Sequence, residues 1–168
     1  ETPTPTPTPG AVPPAAVLAI GRVSDPDVAG DGARLDCQHL VVWHETEVSE
    51  GAIWGRFVER DRIGEAFLVS ADLGAAGPPA VAYSTALERW LVVWPAPNVA
   101  SVSMLRGRMI ACPAPEGPVI EIGRYVLIED QPAVAADGDG FAVIWRRSFS
   151  GRADLQLVGV RVTSATVP

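Results

Sequence analysis

The chain contains no lysine. All 13 basic residues are arginine, against 20 acidic residues, giving a formal net charge of −7. A nucleic-acid partner requires a basic stripe to neutralise phosphates, and this balance argues against one. No run of about 18 apolar residues occurs, so no helical membrane span is expected. A charged-then-apolar secretion signal is also missing, which fits either a processed chain or a cytosolic one. Side-chain amides are scarce, with Asn98 the one asparagine and Gln38, Gln131 and Gln156 the glutamines. Cysteine is limited to Cys37 and Cys112, a pair compatible with one disulfide or with two unpaired thiols.

Catalytic constellations are missing as well. No paired carboxylates and no nucleophile with its base recur in a readable context, so no enzymatic activity and no cofactor are expected. His39 and His44 stand five positions apart around one apolar run; in a strand that odd separation sends the rings to opposite faces, where they share no metal. His39 is the one base near either cysteine in sequence, with nothing readable to orient it, which argues against a catalytic thiol. Asp137 and Asp139, interleaved with Gly138 and Gly140, have the carboxylate density of a calcium loop. The same residues are what a tight hairpin demands, and the matching stretch Tyr83–Arg89 (YSTALER) has no aspartate. A turn, with no metal, is the expectation.

What the chain does have is one sentence written three times. Pro26, Pro79 and Pro132 recur at 53 residues, Trp43, Trp94 and Trp145 at 51, and Gly55, Gly107 and Gly159 at 52. Equal periods of this length signal stacked copies of one supersecondary unit. Each copy reads as four antiparallel strands. The first is Pro-x-Val-Ala (26–29, 79–82, 132–135), where Pro at a strand start is tolerated. The second is an apolar run ending in Trp (40–43, 91–94, 142–145), whose unbroken apolar character predicts burial on both faces. The third carries the central glycine (53–58, 105–110, 157–162), predicting a bulge or a closely passing backbone. The fourth is AFLV (66–69) in repeat one and VIEI (119–122) in repeat two.

Repeat three has no such fourth strand before TSATVP. Its counterpart stands at the other end of the chain, where VLAIGR (17–22) matches VIEIGR (119–124). A strand over Ala15, Ala16, Val17, Leu18, Ala19 and Ile20 is therefore expected to complete repeat three, in its own chain or in a neighbouring one. Residues 1–14, opening with ETPTPTPTPG, read as an extended Thr/Pro-rich stalk of the kind found as O-glycosylated spacers outside cells. The domain reading is thus a stalk (1–14) and a β-repeat domain (15–168), with repeats at 26–78, 79–131 and 132–168 plus 15–22.

This P-x-V-A, hairpin, V-V-W, loop, G-x-R pattern resembles the β-propeller repeats of bacterial secreted and lipoprotein-like proteins, over nearly all of residues 15–168. The resemblance implies an all-β fold of radially packed four-stranded sheets, with the last sheet completed by a first strand. It implies no single activity. Three sheets fall short of the usual four to eight, so association of copies into a ring or filament is expected.

Three groups of residues are candidates for function. Trp43, Trp94 and Trp145 close the buried strands and are expected to pack between repeats. Trp54 and Trp90 do not recur and are expected in exposed contacts to a ligand or a neighbouring subunit. The loops after the tryptophans differ most, one acidic with Glu45, Glu47 and Glu50, the other basic with Arg146, Arg147 and Arg152, able to pair within or between chains. The functional expectation is a non-enzymatic extracellular or cell-surface structural protein that self-assembles through its N-terminal strand. The alternative is a carbohydrate- or protein-binding module of a cell-surface protein.

Overall fold

The computed structural model describes residues 17–31, 37–46, 51–59, 62–70, 74–75, 77–97, 103–115, 117–124, 131–148 and 155–163. The expected stalk (1–14), Ala15, Ala16, Glu47, Glu50 and Arg152 lie outside them. The described residues contain strands and no helix, arranged in three antiparallel sheets.

The first sheet runs in the order β1 (Val23–Gly30), β2 (His39–Glu45), β3 (Ala52–Val58), β4 (Ile63–Leu68). The second is built on β5 (Ala80–Ser84), β6 (Arg89–Ala96) and β7 (Met104–Ala111). The far edge of β7 is shared by the two-residue β8 (Ala114–Pro115) and by β9 (Ile120–Arg124). The third sheet holds β10 (Ala133–Asp137), β11 (Gly140–Ser148) and β12 (Leu155–Thr163). Every repeat thus gives its first three strands where the pattern places them, and the first two repeats add a fourth.

Packing explains why the apolar runs sit where they do. Successive residues of a strand face opposite sides of a sheet. In β6, Trp90, Val92, Trp94 and Ala96 join a core with Leu40, Val42, Ile53 and Phe57 of the first sheet. The alternate residues Leu91 and Val93 join a second core with Phe141, Val143, Trp145 and Val162 of the third. The second sheet is therefore the filling between two others, and β6 is buried from Trp90 to Ala96.

The same expectation of two-sided burial fails for β11. Phe141, Val143 and Trp145 are buried, whereas Ala142 and Ile144 on the other face are exposed, Ile144 to 45%. The cause is positional: among the described residues no further sheet lies on that face.

The recurring glycine stands beside a register shift in both complete repeats, between Arg56 and Val58 and between Leu105 and Arg106. A Cβ on Gly55 would stand 3.0 Å from the Phe67 ring, and one on Gly107 would stand 2.6 Å from Ile122 Cδ1. A side chain of the fourth strand therefore lies over the glycine, in addition to the irregularity expected from sequence.

Trp90 corrects a further expectation. It is fully buried, not an exposed contact. Its ring packs on Tyr83 and on Phe57 of the first sheet, with centroids 4.6 and 5.2 Å away. Its Nε1 donates to Ala29 O at 3.1 Å, again in the first sheet. The first strands also approach one another directly, and Val81 N donates to Asp27 Oδ2 at 2.8 Å. Trp90→Ala should cost about 3–5 kcal/mol in chemical denaturation, because it empties the centre of the interface between the first two sheets.

Candidate functional site

The site with most to explain is the outer side of the third sheet. Leu155, Leu157, Gly159 and Arg161 of β12 share a face with Ala142, Ile144 and Arg146 of β11, as their register dictates. Leu155 and Leu157 are 52% and 74% exposed, and with Ile144 they leave large apolar side chains grouped on one exposed face. Among the described residues β12 pairs with β11 alone, so its other edge carries backbone donors and acceptors with no ladder partner there. Apolar face and open edge are adjacent.

The N-terminal segment is the second part. Residues 17–20 form no strand and pair with no sheet, contrary to the strand expected there. The segment lies instead beside the first sheet. Leu18 and Ala19 line a cavity of about 260 Å³ with Val23, Pro26, Val41 and Trp43. Arg22 O accepts from the Thr46 amide at 3.0 Å, tying the segment to the end of β2. Trp43 sits on the face of the first sheet turned away from the second, yet it is only 6% exposed. Val17 and Ile20 are 70% and 89% exposed.

Trp94 is fully buried, its Nε1 donating to Gly74 O at 3.3 Å, and Trp145 is buried against the second sheet. Trp54 lies directly across the ladder from Trp43, half-buried, with a buried Nε1 that has no hydrogen-bond partner. Glu45 ends β2 and is half-buried. Arg146 is exposed on β11, and Arg147 Nη2 donates to Gln156 Oε1 across the β11–β12 ladder at 3.0 Å. His39 is exposed and His44 buried, on opposite faces of β2. No group of three or more potential metal ligands occurs among the described residues.

Cys37 and Cys112 form a disulfide, Cα atoms 5.9 Å apart, that links the start of β2 to the end of β7 and so ties the first sheet to the second.

The Asp137–Asp139 turn has an occupant that the sequence did not reveal. Arg161 of β12 donates to Asp137 Oδ2 at 2.8 Å and to the Asp139 carboxylate. The Arg161 hydrogen bond holds the Asp139 carboxyl below its ordinary pKa, helped by a hydrogen bond to its own backbone. A lowered carboxylate pKa favours the folded state above the unfolded value, and that contribution fades as pH falls through the lowered one. Both partners are exposed, so the effect is a small brace on the hairpin.

Sequence reasoning missed Ile144, Leu155 and Leu157 as a surface. The signal was present in the periods: Ile144 stands 51 residues after Val93 and Leu157 stands 52 after Leu105, both of which are fully buried between sheets.

A second cavity, of about 350 Å³, opens where the first strands of all three sheets converge, lined by Asp27, Ala80, Gln131, Pro132, Ala133 and Val134. No helix among the described residues is long and apolar enough to cross a membrane. Comparison with protein-family models, with curated proteins and with solved structures found no match for this chain.

The chain-entropy cost of a link spanning 75 residues puts the Cys37–Cys112 bond at about 4 kcal/mol. The double variant Cys37→Ala, Cys112→Ala should lose about 2–4 kcal/mol in urea unfolding.

Proposed function

We propose that this is a non-enzymatic structural protein of propeller-like repeats that assembles with copies of itself, its N-terminal strand completing the third sheet of a neighbouring chain. The observation that carries this reading is the mismatch between sheets. The first and second have a strand on the far edge of β3 and β7, whereas the equivalent edge of β12 has none among the described residues. The segment whose sequence matches that missing strand lies unpaired beside the first sheet.

Addition of an extended segment to an open edge is a general mode of association, and its backbone hydrogen bonds need little from the side chains. Passed head to tail, it gives a closed ring where the rotation closes and a filament where it does not. The disulfide supports an extracellular or cell-surface location, since such bonds persist in oxidising compartments.

A second reading, a carbohydrate- or protein-binding module, is favoured by the cavity at the convergence of the first strands. Gln131 is its separating probe: Gln131→Ala should abolish binding on a glycan array under this second reading and leave assembly unchanged under the first.

Removal of residues 1–22 should convert the assembled protein to a monomer by light scattering. Particles of unchanged size after that deletion would remove the N-terminal strand from the assembly.

A further inference from the structure

The two interfaces inside the chain are copies of one another. Each sheet has a leading face, which packs on the next sheet, and a trailing face, which packs on the one before. In the first interface the leading residues are Leu40, Val42, Ile53 and Phe57, and the trailing residues are Trp90, Val92, Trp94 and Ile110. In the second, Leu91, Val93, Leu105 and Met109 lead, and Phe141, Val143, Trp145 and Val162 trail. The positions correspond at the repeat spacing of 51 or 52 residues. Among the described residues two faces have no sheet packed on them: the leading face of the third sheet, with Ile144 and Leu157, and the trailing face of the first, with Val41, Trp43 and Trp54.

We propose that these two leftover faces bind each other between two copies of the chain, forming a third instance of the internal interface, and that the same copy supplies both the trailing face and the completing strand. This rests on the self-assembly reading above and gives it a surface and a register.

The N-terminal segment supplies the independent support. In the second interface, Gly123 of β9 lies so close to Trp145 of the following sheet that a Cβ would overlap its ring. Gly21 is the counterpart of Gly123 in the shared VxxIGR pattern, and Trp43 is the counterpart of Trp145. The segment rests beside Trp43 in its own chain, where the fourth strand of a preceding sheet would run. It is therefore held on the trailing face as part of the surface to be presented, one sheet away from any edge it would pair with.

The internal ladder sets the register. Gly107 pairs with Ile120, Arg106 with Glu121, Leu105 with Gly123 and Met104 with Arg124, Ile122 falling in the irregularity between them. Transferred by the repeat, Gly159 pairs with Leu18, Val158 with Ala19, Leu157 with Gly21 and Gln156 with Arg22. Ile20 then covers Gly159 as Ile122 covers Gly107, which gives the 89% exposed isoleucine a place. Arg56 fits the same scheme. Its counterpart Arg108 reaches the preceding sheet, Nη1 donating to Val69 O at 3.3 Å, whereas Arg56 Nε is buried without a partner.

The test uses the full chain. Preparations of Ala19→Cys and of Val158→Cys are mixed under mild oxidation, with Leu155→Cys, on the opposite face of β12, replacing Val158→Cys as the register control. The expected result is a covalent dimer, joined by peptide mass through the two introduced thiols, at about tenfold or more over the control. Equal yield with the control overturns the register. Linkage within one chain of the double variant at high dilution overturns the transfer between copies. A second variant, Leu157→Asp, places an unpaired charge in the proposed contact and should weaken association about tenfold or more in sedimentation velocity. Unweakened association by this variant overturns the face docking while leaving strand exchange standing. An unmodified chain that sediments as a monomer at every concentration overturns both this proposal and the self-assembly reading.

Discussion

A sheet buried on both faces needs two partners, and in this molecule each partner is another copy of the same sheet, presented the same way round. That constraint governs the rest. Because the leading face of one repeat meets the trailing face of the next, the two faces form a matched pair. Small and branched residues such as Ala82, Leu91 and Val93 meet the large Phe141 and Trp145, and Val42 and Ile53 meet Trp90 and Trp94. Interdigitation of large against small fills the space between layers without voids. A stack built from such contacts has direction.

The period made most of this legible. Pro, Trp and Gly recur because each does a job that only its position in the unit requires, so their spacing located the first three strands of every repeat, while the strand expected at 15–20 did not form over the described residues 17–20. What the period hid is what depends on a repeat's neighbours. Ala142 and Ile144 belong to a run that looks like those ending in Trp43 and Trp94, and only the absence of a described sheet beside them makes their face exposed. Trp90 misled in the opposite sense. Its residue type does not recur, but its position does, occupied by His39 in the first repeat and Phe141 in the third. Reading position before type would have put Trp90 in the core, since Phe141 there is fully buried as well.

The glycines were placed correctly, with register shifts beside Gly55 and Gly107, but the side chain that each admits was not legible. A glycine in a strand marks close approach, and sequence cannot say of what. Here it is the side chain of the fourth strand: Phe67 over Gly55 and Ile122 over Gly107. The pairing is a lock between third and fourth strands, large side chain into absent side chain. On β12 the corresponding Gly159 has Ile144 Cγ2 of the preceding strand 3.0 Å from its Cβ position, and no fourth-strand side chain among the described residues.

Edge and face therefore make a single demand. An extended segment alone would satisfy the backbone of β12 and the space over Gly159, but would leave Ile144 and Leu157 in water. A sheet face alone would cover those side chains and leave the β12 ladder open. Where the chain meets this demand internally, as at β9 and Trp145, the completing strand and the covering face lie against each other, so neither can be placed without constraining the other. The N-terminal segment beside Trp43 has that same juxtaposition. Carried as one surface, strand and face would order together, and the entropy lost in fixing the segment is partly met before any second copy arrives, because Arg22 and Leu18 are already held on the first sheet. Under the proposed exchange, the exposed Ile20 and the exposed Leu157 would fall side by side on one face of the completed sheet.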